Sequence, residues 1–396
     1  MRNKEIKNKL LLEINKLKTP EGYLMAGYPN YSTLFGRDSL ISSWQMIEID
    51  SEIAKNTLRI LSKYQGKIIN SKSEEEPGKI LHEYRFKREE QLGLPHWKFP
   101  YFGSVDSTPL FIIVAGEYFK KTNDKDFLLE IWDNIAAALN WLLVYGDSDK
   151  DNFIEYEMKN SYGLFHQGWR DAFEDHLKII PPVAIIEAQS YAYAAYNTGI
   201  ELSEHFSKDS SLKNLWTEKA ETLQKAFQKA FWWEEESYYY LALDGSKNPR
   251  KSVSSNSGHL LLSDIISEEF KEKLVKRLFM DDLFTPYGIR TVSEKDPDFD
   301  YSSYHLGSVW PHDNWLIYYG LRKSGFLKEA KQIKQALLSA YQELNYIPEL
   351  FAVKDDKIIF LSEGVRHPRK RPVNIIKPNK LQAWSVCGLL NMIWED

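Results

Sequence analysis

Residues 308–343 read SVWPHDNWLIYYGLRKSGFLKEAKQIKQALLSAYQE, two runs of helical periodicity separated by little more than Gly325. A connection this short makes consecutive helices antiparallel neighbours. Working outward, ten more segments show the same periodicity: about 3–18, 38–49, 51–65, 106–121, 125–145, 182–206, 208–232, 252–262, 266–279 and 380–394. Alternating, strand-like runs are few and short. Asp50 and Ser51 interrupt one long periodic run, Ser107-Thr108-Pro109 sets a proline in a first turn, and Pro181-Pro182 opens another segment. Near Asp50, 122–124, Ser207 and 263–265 the connections are again very short. The remaining ones, 19–37, 66–105, 146–181, 233–251, 280–307 and 344–379, are long. Each pair reverses direction at its short turn, so pairs stacked in parallel around a ring send all six long connections to one end. The expected fold is therefore all-α, an (α/α)6 barrel of six helix pairs with long loops at one mouth, and residues 1–396 form a single domain. An open helical solenoid is the rival, but the chain lacks the fixed-period repeat that solenoids carry.

Composition narrows the function classes. The chain has 51 Lys plus Arg against 56 Asp plus Glu, a net charge of −5 that provides no field for holding a polyanion, so nucleic acid is not an expected partner. The N-terminal stretch has basic residues on both sides of a three-leucine run and no apolar core of signal-peptide length. No run approaches the ~20 apolar residues that cross a bilayer. A soluble, cytoplasmic protein without a membrane partner is expected. The single cysteine, Cys387, lies in the apolar run 383–390, which suits core packing and a reducing compartment. Twelve Trp, 23 Tyr and 20 Phe make 14% aromatics, an excess that could serve core or ligand surface.

Polar and aromatic residues concentrate in the long connections and in the first helical turns after them. The clusters are Phe35-Gly36-Arg37-Asp38, His82-Glu83, Gly103-Ser104-Val105-Asp106, Gln167-Gly168-Trp169-Arg170-Asp171, Tyr304-His305, Trp310-Pro311-His312-Asp313-Asn314, Pro348-Glu349-Leu350-Phe351 and Gln382-Ala383-Trp384. Carboxylates accept from vicinal hydroxyls, Arg donates in a fixed fork, and Trp and Tyr faces match the C–H face of a sugar ring. That mixture suits a neutral polyhydroxylated ligand. Neither a metal nor a cofactor is expected. The nine His show no HExxH spacing, and no GxGxxG, P-loop or GxSxG occurs. Asp147-Ser148-Asp149-Lys150-Asp151-Asn152 starts like a calcium loop but has Asn152 at position six and Met158 at position twelve, so a solvated turn is the favoured reading.

FGRDSLI (35–41), PGKILHEYR (77–85), YFGSVDSTPLF (101–111), HQGWRDAFED (166–175), YGIRTVSEKDPDFDYSSYHLGSVWPHDN (287–314), IPELF (347–351) and LQAWS (381–385) occur in this order. Together they resemble the catalytic domain of amylo-α-1,6-glucosidases, the glucosidase part of glycogen-debranching enzymes. The likeness runs from about Phe35 to Trp384. Its relatives among glucoamylases share the (α/α)6 barrel. The resemblance implies an inverting, exo-acting glycoside hydrolase that releases glucose from α-glucosides, in particular α-1,6-linked branches of glycogen-type oligosaccharides. Its acid is the Asp of a motif like GWKDS, matched by Asp171, and its base the Glu of a motif like PELF, matched by Glu349. Flanking Trp169 and Phe173 would desolvate Asp171 and favour the protonated acid. Asp171 could instead cap a helix or pair with an Arg, with Glu174 and Asp175 as rivals in its loop; Glu343 and Glu363 are the rivals of Glu349. Arg37 and Asp38 resemble the pair that holds the terminal glucose in glucoamylase-like enzymes, although Asp38 could also cap the second helix. Glu83, Asp106, Trp169, Trp310, His312, Asp313 and Trp384 are the remaining candidate sugar contacts.

Two departures qualify that likeness. Debranching enzymes of this kind carry an N-terminal β-rich domain, whereas barely 18 residues of helix precede the first long connection, so any polymer contact made by such a domain is not expected. The last long connection carries Arg366, Arg369, Lys370, Arg371, Lys377 and Lys380. A solvated segment pairing with Glu74-Glu75-Glu76 is the plain reading; selection of an anionic aglycone is the sharper one. The alternative substrate is then a small anionic glycoside such as glucosyl- or mannosylglycerate. A sugar epimerase using His305 and His312, or a sugar-binding protein without catalysis, are readings from other classes.

Overall fold

The computed structural model of the chain describes residues 2–207, 210–359, 365–367 and 374–395. Among the described residues all twelve expected helical segments are present. They are α1 (Arg2–Leu17), α2 (Gly36–Met46), α3 (Ser51–Lys63), α4 (Ser107–Thr122), α5 (Trp132–Trp141), α6 (Ile186–His205), α7 (Ser210–Phe231), α8 (Ser255–Leu262), α9 (Glu268–Leu278), α10 (Pro311–Lys323), α11 (Leu327–Leu344) and α12 (Ala383–Ile393). The even-numbered helices touch in the cyclic order α2, α4, α6, α8, α10, α12 and back to α2, which closes an inner ring. Each odd-numbered helix packs outside its partner, and α1 completes the sixth pair by lying against α12. The fold is the (α/α)6 barrel.

The two rings differ in sequence for a physical reason. An outer helix meets protein on one side only, and α3 buries Ile53, Ala54, Thr57, Leu58 and Leu61 as a single stripe. An inner helix meets protein all round, and every residue of α2 is buried, polar ones included. Small residues let inner helices approach: a Cβ on Gly320 would lie 2.7 Å from Leu261, and one on Gly258 2.7 Å from Ile317, where α8 crosses α10. Tyr191, Tyr196, Phe227 and Phe231 are buried in this core, as helical spacing predicts, and so is Cys387, whereas Tyr193 and Trp232, expected there by the same spacing, are only half-buried against it.

Helix detail departs from periodicity in two places. The segment at 252–262 is a 3₁₀ helix rather than an α-helix. Its Ser254-Ser255-Asn256-Ser257-Gly258 run holds poor helix formers whose side chains compete for backbone hydrogen bonds. The run 125–145 breaks at Ile131, after a six-residue turn capped by Asp124, and ends in a π turn at Leu142–Gly146. Strands are only two or three residues long and tie connections together. Gly27–Tyr28 pairs with Leu381–Gln382 and Leu34–Phe35 with Glu83–Tyr84, so the entrances to α2 and α12 are stitched to each other and to the connection after α3. No helix among the described residues is long and apolar enough to cross a membrane.

Every inner helix starts at the end where the long connections gather. Six helix N-termini therefore point their positive dipole ends at one mouth, a setting that stabilises acidic side chains there.

Candidate active site

At that mouth lies a cavity of about 220 Å³ whose wall includes Asp38, Glu83, Asp171 and Glu349 together with Trp169, Trp310 and Trp384. They come from five of the six long connections or from the helical turns that follow them. Asp38 stands in the first turn of α2, Trp310 is the residue before α10, and Trp384 is the second residue of α12.

Arg37 organises one side. Its Nε donates to Asp106 Oδ2 at 2.7 Å, its Nη1 to Asp171 Oδ2 at 2.9 Å and its Nη2 to the Gln167 carbonyl at 3.4 Å. Asp106 also accepts from Ser104 Oγ at 2.7 Å. Arg37 and Asp106, expected from sequence as sugar contacts, are buried and absent from the cavity wall, and Arg37 bonds Asp171 from behind it. Asp171 thus makes the ion pair that its sequence left open. Trp169 and Phe173 do line the cavity beside it, yet its side chain remains 28% exposed, and the desolvation expected from those two aromatics is incomplete. The His82 imidazole stands 4.0 Å from the same carboxylate oxygen; burial, reinforced by Arg37 and Arg85, pushes its pKa well below the ordinary value.

Glu349 has different company. It is 2% exposed, and each carboxylate oxygen accepts a hydrogen bond from a neutral donor: Oε1 from the Tyr304 hydroxyl at 2.5 Å and Oε2 from the Asn379 amide at 2.8 Å. Burial raises its pKa to about 7, with the Asp171 charge adding to the rise and the two hydrogen bonds opposing it. Asp38 accepts from Gln382 Nε2 at 3.4 Å and is pushed up to about 8 by burial, against the lowering effect of Arg37. Glu83 is hydrogen-bonded by Arg85 Nε, and its pKa is raised by burial despite that partner.

Aromatic rings build the remaining wall. Trp97 stacks on Tyr101 with ring centroids 3.7 Å apart. Trp310 is held by its indole N–H, which donates to the Tyr304 carbonyl at 2.9 Å. Trp384 stacks at 3.7 Å on His312, which is fully buried behind it. Asp313 is equally buried and bonded to His259 at 2.8 Å. Direct sugar contact by His312 and Asp313, expected from sequence, is thus corrected: both are fully buried and absent from the cavity wall, and His312 lies beneath Trp384. His305, by contrast, lines the cavity.

Several expectations outside the cavity also change. Glu74 is no surface acid. It is buried, with a left-handed φ of 55°, and accepts from Tyr101 OH and the Asn160 amide, each at 3.2 Å, and from Gln167 Nε2. Glu75 accepts from the Lys67 amide and Glu76 from Trp141, so this acidic run ties its own connection to α5 and to the connection that follows it. Arg369, Lys370, Arg371 and Glu363 lie outside the described residues, and Lys377 and Lys380 are exposed and absent from the cavity wall. Asp147, Asp149 and Asp151 bring carboxylate oxygens within 4.8 Å of one another, and the Lys247 ammonium stands 2.7 Å from both Asp149 and Asp151. Among the rivals, Asp175 is committed to His166 and the Ile179 amide, and Glu343 is exposed and outside the cavity wall.

Sequence reading passed over Tyr31, Arg85, Asn379 and Gln382 as site residues and quoted Tyr304 without a role. Tyr31 and Gln382 are cavity-wall residues that stand within seven residues of a quoted motif or inside one. Asn379 acts through its backbone amide, which no residue type announces.

The model of the mannosylglycerate hydrolase MGH1-like glycoside hydrolase domain matches residues 31–359. No curated protein matches the chain in sequence. Among solved structures, the GH63 mannosylglycerate hydrolase from Thermus thermophilus in complex with Tris and D-glycerate superposes with a TM-score of 0.75 at 14% identity, covering 99% of this chain and 100% of that one. The same enzyme in complex with glucose gives 0.73 at 15%, with the same coverage. A rhamnosidase from Klebsiella oxytoca with rhamnose bound gives 0.65 at 14%, over 97% of this chain and 62% of that one. At such identities the likeness is one of fold. The matched family is named for mannosylglycerate, whereas the motifs resemble amylo-α-1,6-glucosidases; glycoside hydrolysis on an (α/α)6 barrel is what the two have in common.

Proposed function

The chain belongs to the mannosylglycerate hydrolase MGH1-like glycoside hydrolase family, and from that premise we propose that it is an inverting, exo-acting hydrolase of a small α-glycoside with an anionic aglycone, such as glucosyl- or mannosylglycerate. One observation carries the reading: Asp171 and Glu349, drawn from different connections, stand in the wall of one cavity of about 220 Å³. That volume suits a single hexose with a short appendage. Arg85 in the same wall is engaged by Glu83 at Nε and by the Glu90 carbonyl at Nη1, which leaves Nη2 to meet an anionic leaving group.

In the reaction, Asp171 gives its proton to the glycosidic oxygen as the bond from that oxygen to C1 breaks. A water oxygen forms the new bond to C1 on the opposite face and passes a proton to Glu349. Arg37 on Asp171 Oδ2 stabilises the negative charge that the acid acquires when its proton leaves. Asp38 and Glu83 are suited to accept hydrogen bonds from sugar hydroxyls, and the Trp169, Trp310 and Trp384 rings exclude water around the reacting carbon. Buried contact of His312 with Trp384 argues against an epimerase that would use this imidazole as acid or base.

The test is a panel of glucosyl- and mannosylglycerate, panose, isomaltose and branched dextrin, with product anomers followed by NMR. Cleavage of a glycerate glycoside with initial release of the β-anomer is expected. Initial release of the α-anomer would contradict inversion, and preference for branched dextrin would return the chain to the debranching class. Full activity in Asp171→Asn with none in His312→Ala would end the hydrolase reading.

A further inference from the structure

The base has two hydrogen-bond donors, and only one of them is a side chain. The Tyr304 hydroxyl reaches Glu349 Oε1 at 2.5 Å, while Oε2 takes the Asn379 backbone amide at 2.8 Å. Tyr304 is itself held firmly. Its carbonyl accepts from Trp310 Nε1 at 2.9 Å and Ser308 Oγ at 2.7 Å, and its hydroxyl is hydrogen-bonded to Tyr31. The pair is buried, so no bulk water competes for the contact, and a hydrogen bond to a charged acceptor is strongest there.

On the reading of Glu349 as base, we propose that Tyr304 is a positioning residue for the reaction: its hydroxyl fixes the rotation of the Glu349 carboxylate and stabilises its charged form, leaving a second lone pair of the carboxylate to receive the proton of the attacking water. The reason it is needed lies in the surrounding charges. Asp171 on the connection after α5 acts on Glu349 as a negative charge, and the Glu349 charge in turn raises the pKa of Asp38 on α2. The Arg37 guanidinium is spent on Asp106 and Asp171. No ion pair to Glu349 occurs among the described residues, so ionising a fully buried carboxylate depends on neutral donors. Tyr31 backs the phenol, and the His305 ring packs against the Tyr304 ring with centroids 4.6 Å apart.

The readout is the pH dependence of kcat/KM, which a merely structural role would leave in place. Tyr304→Phe removes the donor and keeps the ring. The acidic limb should then move up by about one pH unit, which is about a ten-fold extra loss at pH 6, with a much smaller loss above the limb. 3-Fluorotyrosine at position 304, a stronger donor of nearly the same shape, should move the limb the other way. Thermal unfolding of both variants checks that they are folded. An unshifted limb in folded Tyr304→Phe, or the same direction of shift in both variants, overturns the inference. Base assignment is tested separately by Glu349→Ala with azide, where formation of a β-glycosyl azide supports it. If that product forms and the Tyr304→Phe limb stays in place, only the positioning role falls; if no azide product forms and the wild-type enzyme releases the α-anomer, the base reading falls and takes this inference with it.

Discussion

Asp171 and Glu349 stand in one cavity wall but are held in opposite ways. Asp171 is partly exposed and bonded by the Arg37 guanidinium; Glu349 is almost sealed and, among the described residues, bonded by the Tyr304 hydroxyl and the Asn379 amide. A cation beside a carboxylate stabilises negative charge at little cost, whereas neutral donors in a buried site stabilise it only in part. The difference teaches that the acidic side of the cavity is set by an ion-pair network and the basic side by dry hydrogen bonding. Each should fail in its own way.

The largest effect should come from the carboxylates themselves. Asp171→Asn and Glu349→Gln are each expected to lower kcat by about three orders of magnitude or more, and steady-state kinetics on a glycerate glycoside measures it. Substrates with an activated leaving group separate the two sides: the loss in Asp171→Asn shrinks because such a group departs without a proton, while that in Glu349→Gln persists.

Next in size is Arg37→Lys. A lysine cannot reproduce a fork that serves Asp106 and Asp171 together, and a loss of about 10²-fold is expected, dominated by kcat because Arg37 lies behind the wall. If KM alone rises, the network binds sugar and does not orient the acid.

The third prediction concerns pH, where activity and stability should run in opposite directions. Glu349 must be ionised to act as base, and its pKa lies at about 7, so kcat/KM should fall about ten-fold per unit as pH drops below that value. For stability the sign reverses. Its folded pKa is raised above the ordinary value of 4.5, so the folded state keeps a proton that the unfolded chain releases. That contribution is fully present below pH 4.5 and is lost as pH rises through about 7, a change of roughly 3 kcal/mol. Glu349→Gln, which cannot ionise, should therefore raise Tm relative to wild type at pH 8 and not at pH 4.5, as measured by calorimetry. An equal Tm difference at both values would show that burial does not govern this carboxyl.

The smallest effect is expected at the foot of the acid-bearing connection. Lys247 bridges Asp149, Asp151 and Glu155 from the strand pair formed by 242–243 and 249–250, and Gly245 and Arg250 of the same pair bond the Ile180 and Leu177 carbonyls at the other end of that connection. Lys247→Met should cost roughly 1–3 kcal/mol in denaturant unfolding, because Asp149 and Asp151 are partly exposed whereas Glu155 is buried, and should change kcat little. A large fall in kcat with stability unchanged would mean that the loop positions Asp171 more directly than its hydrogen bonds indicate.

Much of this molecule was legible beforehand, and particular residues show why. Connection lengths depend only on where helical periodicity stops, so the pairing of helices and the gathering of long loops at one mouth could be read without any contact information. Asp38 and Trp384 fall in the cavity wall because α2 and α12 begin at their motifs, and Asp171 and Glu349 because the connections that carry them gather at the same mouth. Depth was not legible. His312 and Asp313 sit one and two residues after the start of α10, and the helical turn carries them under the floor while Trp310 faces the cavity. Glu74 looked like part of an acidic surface run because a run of like charges says nothing about which member a buried Tyr101 and Gln167 will turn inward. The 3₁₀ form of α8 was hidden because periodicity alone does not weigh the Ser, Asn and Gly content of the segment.

By itself the sequence determined the class of the molecule: twelve helical segments, alternating short and long connections, a chain without the charge to hold nucleic acid, and two candidate carboxylates on separate loops. These are properties of local periodicity, spacing and composition, which survive in one dimension. Only the tertiary structure decided that α1 closes the ring against α12, that Arg37 clamps Asp171 from behind, and that Glu349 is sealed with a tyrosine and a backbone amide. Each of those joins residues far apart in the chain, from Arg37 to Asp171 and from Tyr304 to Glu349 to Asn379. What a carboxylate does depends on who shares its low-dielectric surroundings, and that is known only once the barrel has closed.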